Sequence, residues 1–142
     1  MRPALLVMLL LSAAYAALGG SPQTTCFTPQ AGTAARKAIL DTLRADDHNP
    51  MGVPVYKVNA MRVCREWAWV DTSPCYGKKS PVCAEGGWTL LRRSHHVWKM
   101  LPTPEEDACD PMNSTFTSPG DECVQILKAR YHDLPIELFK SK

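Results

Sequence analysis

The chain has 142 residues, 45% of them hydrophobic, and its 16 Lys and Arg against 14 Asp and Glu leave a formal charge of +2. That length permits one domain with one core. With no run of Lys or Arg longer than two, the charge offers no electrostatic footprint for nucleic acid or an anionic membrane.

Residues 1–20, "MRPALLVMLLLSAAYAALGG", read as a cleaved export signal: one basic residue, an apolar run, then small residues at which Ala14-Tyr15-Ala16 or Ala17-Leu18-Gly19 suits a signal peptidase. The apolar run is shorter than the roughly 20 residues that span a bilayer, and no later segment is long or apolar enough, so no integral membrane span is expected. Residues 21–142 are expected to form a single disulfide-bonded domain. All six cysteines, Cys26, Cys64, Cys75, Cys83, Cys109 and Cys123, follow the signal, and an even number in an exported chain reads as three disulfides.

Thr28-Pro29 is expected to open a helix over residues 29–45, since Thr caps and Pro is tolerated at the first helical position. Ala35, Ala38, Ile39, Thr42 and Leu43 recur there at helical spacing,. After the connection "DDHNPMGVP", four runs read as strands: "VPVYKVNAMRV", "EWAWVDT", "GGWTLLRR" and "HVWKML",. Their short connections suit antiparallel neighbours. The fold class expected is therefore α+β: an N-terminal helix packed on a four-stranded antiparallel meander, with a disulfide-stapled loop and a short C-terminal helix. In outline this is similar to cystatin-like and nuclear-transport-factor-like folds, an architectural analogy that fixes no function.

Six cysteines allow 15 pairings, and geometry ranks them. Cys75 and Cys83 flank the polar loop of residues 76–82, and Cys109 and Cys123 bracket a Pro-, Asp-, Ser- and Thr-rich loop. Cys26 and Cys64 remain. A helix about 25 Å long followed by a strand about 30 Å long running back beneath it returns Cys64 to the neighbourhood of Cys26.

Beyond Leu101, the proline-rich stretch leads to a second helix, "CVQILKARY", capped by Asp121 or Ser118, with Val124, Leu127 and Tyr131 on one face,. The tail residues Leu134, Ile136, Leu138 and Phe139 are expected to dock, because that much apolar surface is rarely left in solvent.

No catalytic signature is present: no Gly-x-Ser-x-Gly, no His-Glu-x-x-His, no phosphate-cradling glycine loop and no Cys-x-x-Cys,. Disulfide bonding would leave no thiolate nucleophile. The expectation is a non-enzyme with no catalytic residue, metal site or cofactor. His95-His96 reads as a polar turn, His48 and His132 fall in separate loops, and Glu105, Glu106, Asp107 and Asp110 lack the spacing and glycine of a calcium loop,. Asn113-Ser114-Thr115 is formally a glycosylation sequon,.

The tryptophans carry more information. Trp67 and Trp69 point to one face of their strand, Ala68 and Val70 to the other,. Either helix, loop and tail cover both faces and bury Trp67, Trp69, Trp88 and Trp98, or one face stays open as an aromatic concavity. Tyr76, Lys78 and Lys79 on the stapled loop, with Arg92 and Arg93 on the third strand run, complete the candidate binding set. Lys57, Arg62, Arg92, Arg93 and Lys99 would form a basic rim or stand as ordinary solvent-facing residues.

"ARKAILDTLR", "WAWV", "GGWTLLRRSHHVWKML" and "CVQILKARYHDLPIELF" resemble a group of small exported bacterial proteins of unknown function, whose pattern is an R-x-x-ILDALR helix, a GWAWV strand, an ALLRK-x-x-G-x-W-x-V hairpin and an apolar-Pro tail ending in Phe. The chain departs from it where Cys64-Arg65-Glu66 and His95-His96 replace Gly-rich turns. The resemblance implies a bacterial periplasmic or secreted setting and no particular activity. The functional expectation is a non-catalytic protein that binds an envelope or secreted partner through loops 76–82 and 110–122, as an inhibitor or immunity factor. The alternative is a small-ligand-binding protein using the aromatic face.

Overall fold

The computed structural model describes residues 25–110 and 120–140. The predicted signal, the sequon, Ser118 and most of loop 110–122 lie outside them. Strands β1 (Cys26–Phe27), β2 (Val55–Cys64), β3 (Trp67–Tyr76), β4 (Val82–Cys83), β5 (Gly87–Ser94) and β6 (Val97–Met100) make one antiparallel sheet. Its order is β1-β2-β3-β5-β6, with β4 also on β3. Helices α1 (Ala34–Asp46) and α2 (Glu122–Arg130) are both short.

This corrects the expected four-stranded meander with an N-terminal helix: the fold is mostly sheet, six-stranded, and β1 precedes α1. The two additional strands are two residues long, too short for any alternation to register. Each instead aligns a cysteine opposite its disulfide partner, Cys26 across from Cys64 and Cys83 across from Cys75. β3 also runs past Thr72, through Ser73-Pro74, a pair that reads locally as a turn. Pro74 is accommodated because its fixed φ suits extended backbone and its carbonyl still accepts from the Ala84 N–H at 2.9 Å,.

Helix α1 begins five residues later than Thr28-Pro29 suggested. Gly32 holds φ +82°, a left-handed conformation outside any helix, and Thr33 caps by accepting from the Arg36 N–H. Asp121 caps α2, accepting from the Cys123 N–H at 3.0 Å. Two tight turns use positive φ at Arg65 (55°), His95 (50°) and His96 (66°). They fall in the Cys64-Arg65-Glu66 and His95-His96 turns, where the backbone takes the conformation that glycine adopts without steric cost,.

Both sheet faces are covered. Under α1, Ile39 and Leu43 pack with Met61, Val63, Ala68, Val70, Leu91 and Trp98. On the other face, α2 and the docked tail bury Trp67, Trp88 and Leu90 among Val124, Leu127, Leu134, Leu138 and Phe139. Neighbours such as Leu90 and Leu91 therefore serve opposite cores, each burial contributing about 1.5 to 3 kcal/mol. The three disulfides are Cys26–Cys64, Cys75–Cys83 and Cys109–Cys123, the pairing that geometry had ranked first. Disulfides of this kind persist in oxidising compartments. No helix among the described residues is long and apolar enough to cross a membrane.

Candidate binding surface at the hairpin end

The tryptophans belong to the cores. Trp67, Trp88 and Trp98 are 2%, 4% and 7% exposed, while Trp69 is half-buried against the α2 side. Arg92 and Arg93 share no rim, because adjacent strand residues point to opposite faces. Arg92 stacks 4.9 Å over Trp67 and pairs with Asp133 at 2.6 Å. Arg93 stacks 5.3 Å over Trp98 and meets Glu66 through two hydrogen bonds, of 2.8 and 3.1 Å. That pairing lowers the Glu66 carboxyl below its usual range.

What the structure does bring together is the opposite end of the sheet. The β3–β4 hairpin turns through residues 77–81, with Gly77 at φ +95°, and is stapled at its base by Cys75–Cys83. Beside it lies the loop leading into β2. Met51 (61% exposed), Val53 (76%) and Val55 (70%) stand out there, an apolar concentration of the kind that marks interaction surfaces, while Val82 (67%) is exposed on the opposite face, across from Tyr76. A cleft of about 790 Å³ opens between Met51, Val53, Val55 and Pro81, with Lys57 and Lys78 in its lining and no Asp or Glu. Lys79 is exposed at the tip.

The backbone edge beside this cleft is open. β1 pairs only with Val63 and Cys64, so among the described residues the rest of β2 has a strand neighbour on its β3 side alone. The β2–β3 register shifts between Val58 and Ala60, and such a bulge bends a strand. Residues 55–58 form the straight part of the edge.

Tyr76, expected on the binding loop, points inward. Its hydroxyl donates to Asp47 Oδ2 at 2.7 Å, and Tyr56 donates to the same oxygen at 3.5 Å. Asp47 Oδ1 accepts from the Asn49 N–H at 3.0 Å. The Tyr76 hydrogen bond, above all, holds the Asp47 carboxyl below the usual range. Burial first, then the Asp47 charge, pushes the Tyr56 phenol up to about 12. Tyr76 is raised chiefly by its bond to Asp47.

Of the expected binding residues, the structure gathers Lys78 and Lys79 at this end with Tyr76 beneath them; it does not bring the tryptophans or the arginine pair there. Met51, Val53, Val55 and Val82 were missed by sequence reasoning. For Met51, Val53 and Val82 the available signal was that large apolar residues interrupt segments otherwise made of turn formers, "HNPMGVP" and "GKKSPVC". Comparisons with protein-family models, curated proteins and solved structures find no match. Fold and surface define a three-disulfide antiparallel-sheet protein with an apolar, lysine-bearing end. Among its described residues no group of three His, Cys, Asp or Glu is placed to hold a metal ion.

Proposed function

We propose that this chain is an exported, non-catalytic protein-binding protein of the bacterial periplasm or cell exterior, acting as an inhibitor or immunity factor against an envelope-directed enzyme. The observation that carries the reading is the exposed group of Met51, Val53 and Val55 lining a cleft that Lys57 and Lys78 also line. The occupant with matching chemistry is an extended partner segment bearing apolar and acidic side chains. Its backbone would hydrogen-bond to the open edge of β2 at residues 55–58, as in strand addition. Its apolar groups would cover the valines, and its carboxylates would meet the lysines. The Cys75–Cys83 staple supports the reading, because a loop ordered in advance loses less entropy on binding.

The test uses the oxidised chain and a Val53→Asp/Val55→Asp variant as baits in envelope extract, followed by carbodiimide coupling of lysine amines to adjacent carboxylates. The expected result is a partner coupled to Lys57, Lys78 or Lys79 through an Asp or Glu peptide and lost in the variant, while both baits melt at the same temperature. A partner that couples elsewhere, a partner kept by the variant, or no partner at all would each overturn the proposal.

A further inference from the structure

On the other side of Tyr56, which lines both spaces, lies a second cleft of about 540 Å³ between the carboxy-terminal end of α1 and the start of β5. Its lining includes Asp46, Asp47, Glu85 and Asp110 and no Lys or Arg. A helix C-terminus adds partial negative charge at the same place. Carboxylates alone would be an ordinary solvated surface.

Thr72 makes the difference. It is buried, 5% exposed, yet lines this cleft. Its hydroxyl makes no hydrogen bond to a described residue and is not among the enclosed unpaired polar atoms, so this otherwise buried side chain is open to the cleft and free to accept there. Thr72 sits opposite Gly87 in the β3–β5 register, and Glu85 and Gly86 fall in the irregular stretch between β4 and β5. An acceptor is thus set in the floor with carboxylates at the rim. Asp47 is already engaged with the tyrosines; Asp46 and Glu85 form no side-chain hydrogen bond or ion pair among the described residues.

Ammonium and guanidinium groups both use acceptors only; with the Thr72 hydroxyl in the floor rather than a carboxylate set for a planar fork, the compact ammonium with its three rotatable donors is the better match,. The carboxylates line one space without three converging as metal ligands, so a cation on an alkyl stem fits better than a compact ion. Leu43 and Met100 supply apolar lining for that stem. We propose that this cleft binds an alkylammonium group, hydrogen-bonded to the Thr72 hydroxyl and neutralised by Asp46 and Glu85. The source is either a free polyamine or a lysine side chain.

The proposal is tested by titrating the isotopically labelled, oxidised chain with spermidine and, separately, with Nα-acetyl-lysine methylamide, at about 0.15 M salt, where exposed charges are largely screened. Saturable amide shifts centred on Thr72, Gly87 and Thr89 are expected. Affinity should fall about tenfold, ~1.4 kcal/mol, in Glu85→Gln and severalfold in Thr72→Val, with Thr72→Ser restoring it. Binding of spermidine alone would identify a free polyamine; binding of both would show that one lysine side chain suffices. Shifts that never saturate, or an affinity equal in wild type, Thr72→Val and Glu85→Gln, would overturn the proposal.

Discussion

Tyr76 donates a hydrogen bond of 2.7 Å to the Oδ2 of Asp47, and so joins the stapled hairpin to the residue that caps the end of α1. Both candidate clefts flank this contact, which makes it the mechanical link between them. Removing the donor in Tyr76→Phe leaves the carboxylate with the weaker 3.5 Å contact from Tyr56. Hydrogen bonds to charged groups are among the stronger ones, so a lowered urea midpoint is expected.

The same triad sets an alkaline limit. Tyr56 titrates at about 12 in the folded chain against an ordinary 10.0, so the folded state holds its proton more tightly than the unfolded state does. The associated stability is whole below pH 10 and is lost as pH rises from there toward 12. A decline in urea midpoint over that interval, tracked with tyrosinate absorbance, should be shallower in Tyr56→Phe, with Tyr76, raised in the same direction, supplying what remains. Asp47 acts at the acid end with the opposite sign: its lowered value gives stability present at neutral pH and lost on acidification, and Asp47→Asn should remove that dependence.

Gly86 is fixed by space. A Cβ there would fall 2.5 Å from Ser73 Oγ and closer still to the Thr72 carbonyl oxygen. Backbone cannot yield as a flexible side chain does, so Gly86→Ala is expected to destabilise by about 1 to 3 kcal/mol. Gly32→Ala meets no atom within 4 Å and bears only the strain of φ +82°; its melting temperature should fall less.

The disulfides should open in order of access. Cys83 is exposed, whereas Cys64, Cys109 and Cys123 are wholly buried. Thiolate attack needs an approach to sulfur, so mild reduction with alkylation and peptide mapping should label Cys75 and Cys83 first. Replacing both Cys109 and Cys123 by Ala removes a closure over 14 residues, at a cost of about 3 kcal/mol.

Arg92 over Trp67 is the contact that seals the α2 side at its rim. Arg92→Ala removes both the stacking and the exposed pair with Asp133, and a loss of about 1 kcal/mol is expected. Asp133→Ala, which spares the stacking, should cost less by the same urea assay.

Local chemistry by itself determined much of this protein. Periodicity marked the stripe of α1 and the centres of β2, β3, β5 and β6, because buried faces must repeat at the period of their element. Cysteine spacing together with strand lengths ranked the observed disulfide pairing first, because a hairpin or a returning strand limits which sulfurs can meet. Alternation of Trp67 and Trp69 with Ala68 and Val70 established that both faces of β3 are apolar, but it held no information on what covers them. Only the tertiary structure decided that α2 and the tail close one face while α1 closes the other, which moved the exposed apolar surface from the tryptophans to Met51, Val53, Val55 and Val82. It alone separated Arg92 from Arg93 by their opposite partners, and it alone gathered Asp46, Thr72, Glu85 and Asp110 around one cleft. Those residues lie far apart in the chain, and side chains meet in one cleft only after the sheet has been paired and the helix packed on it.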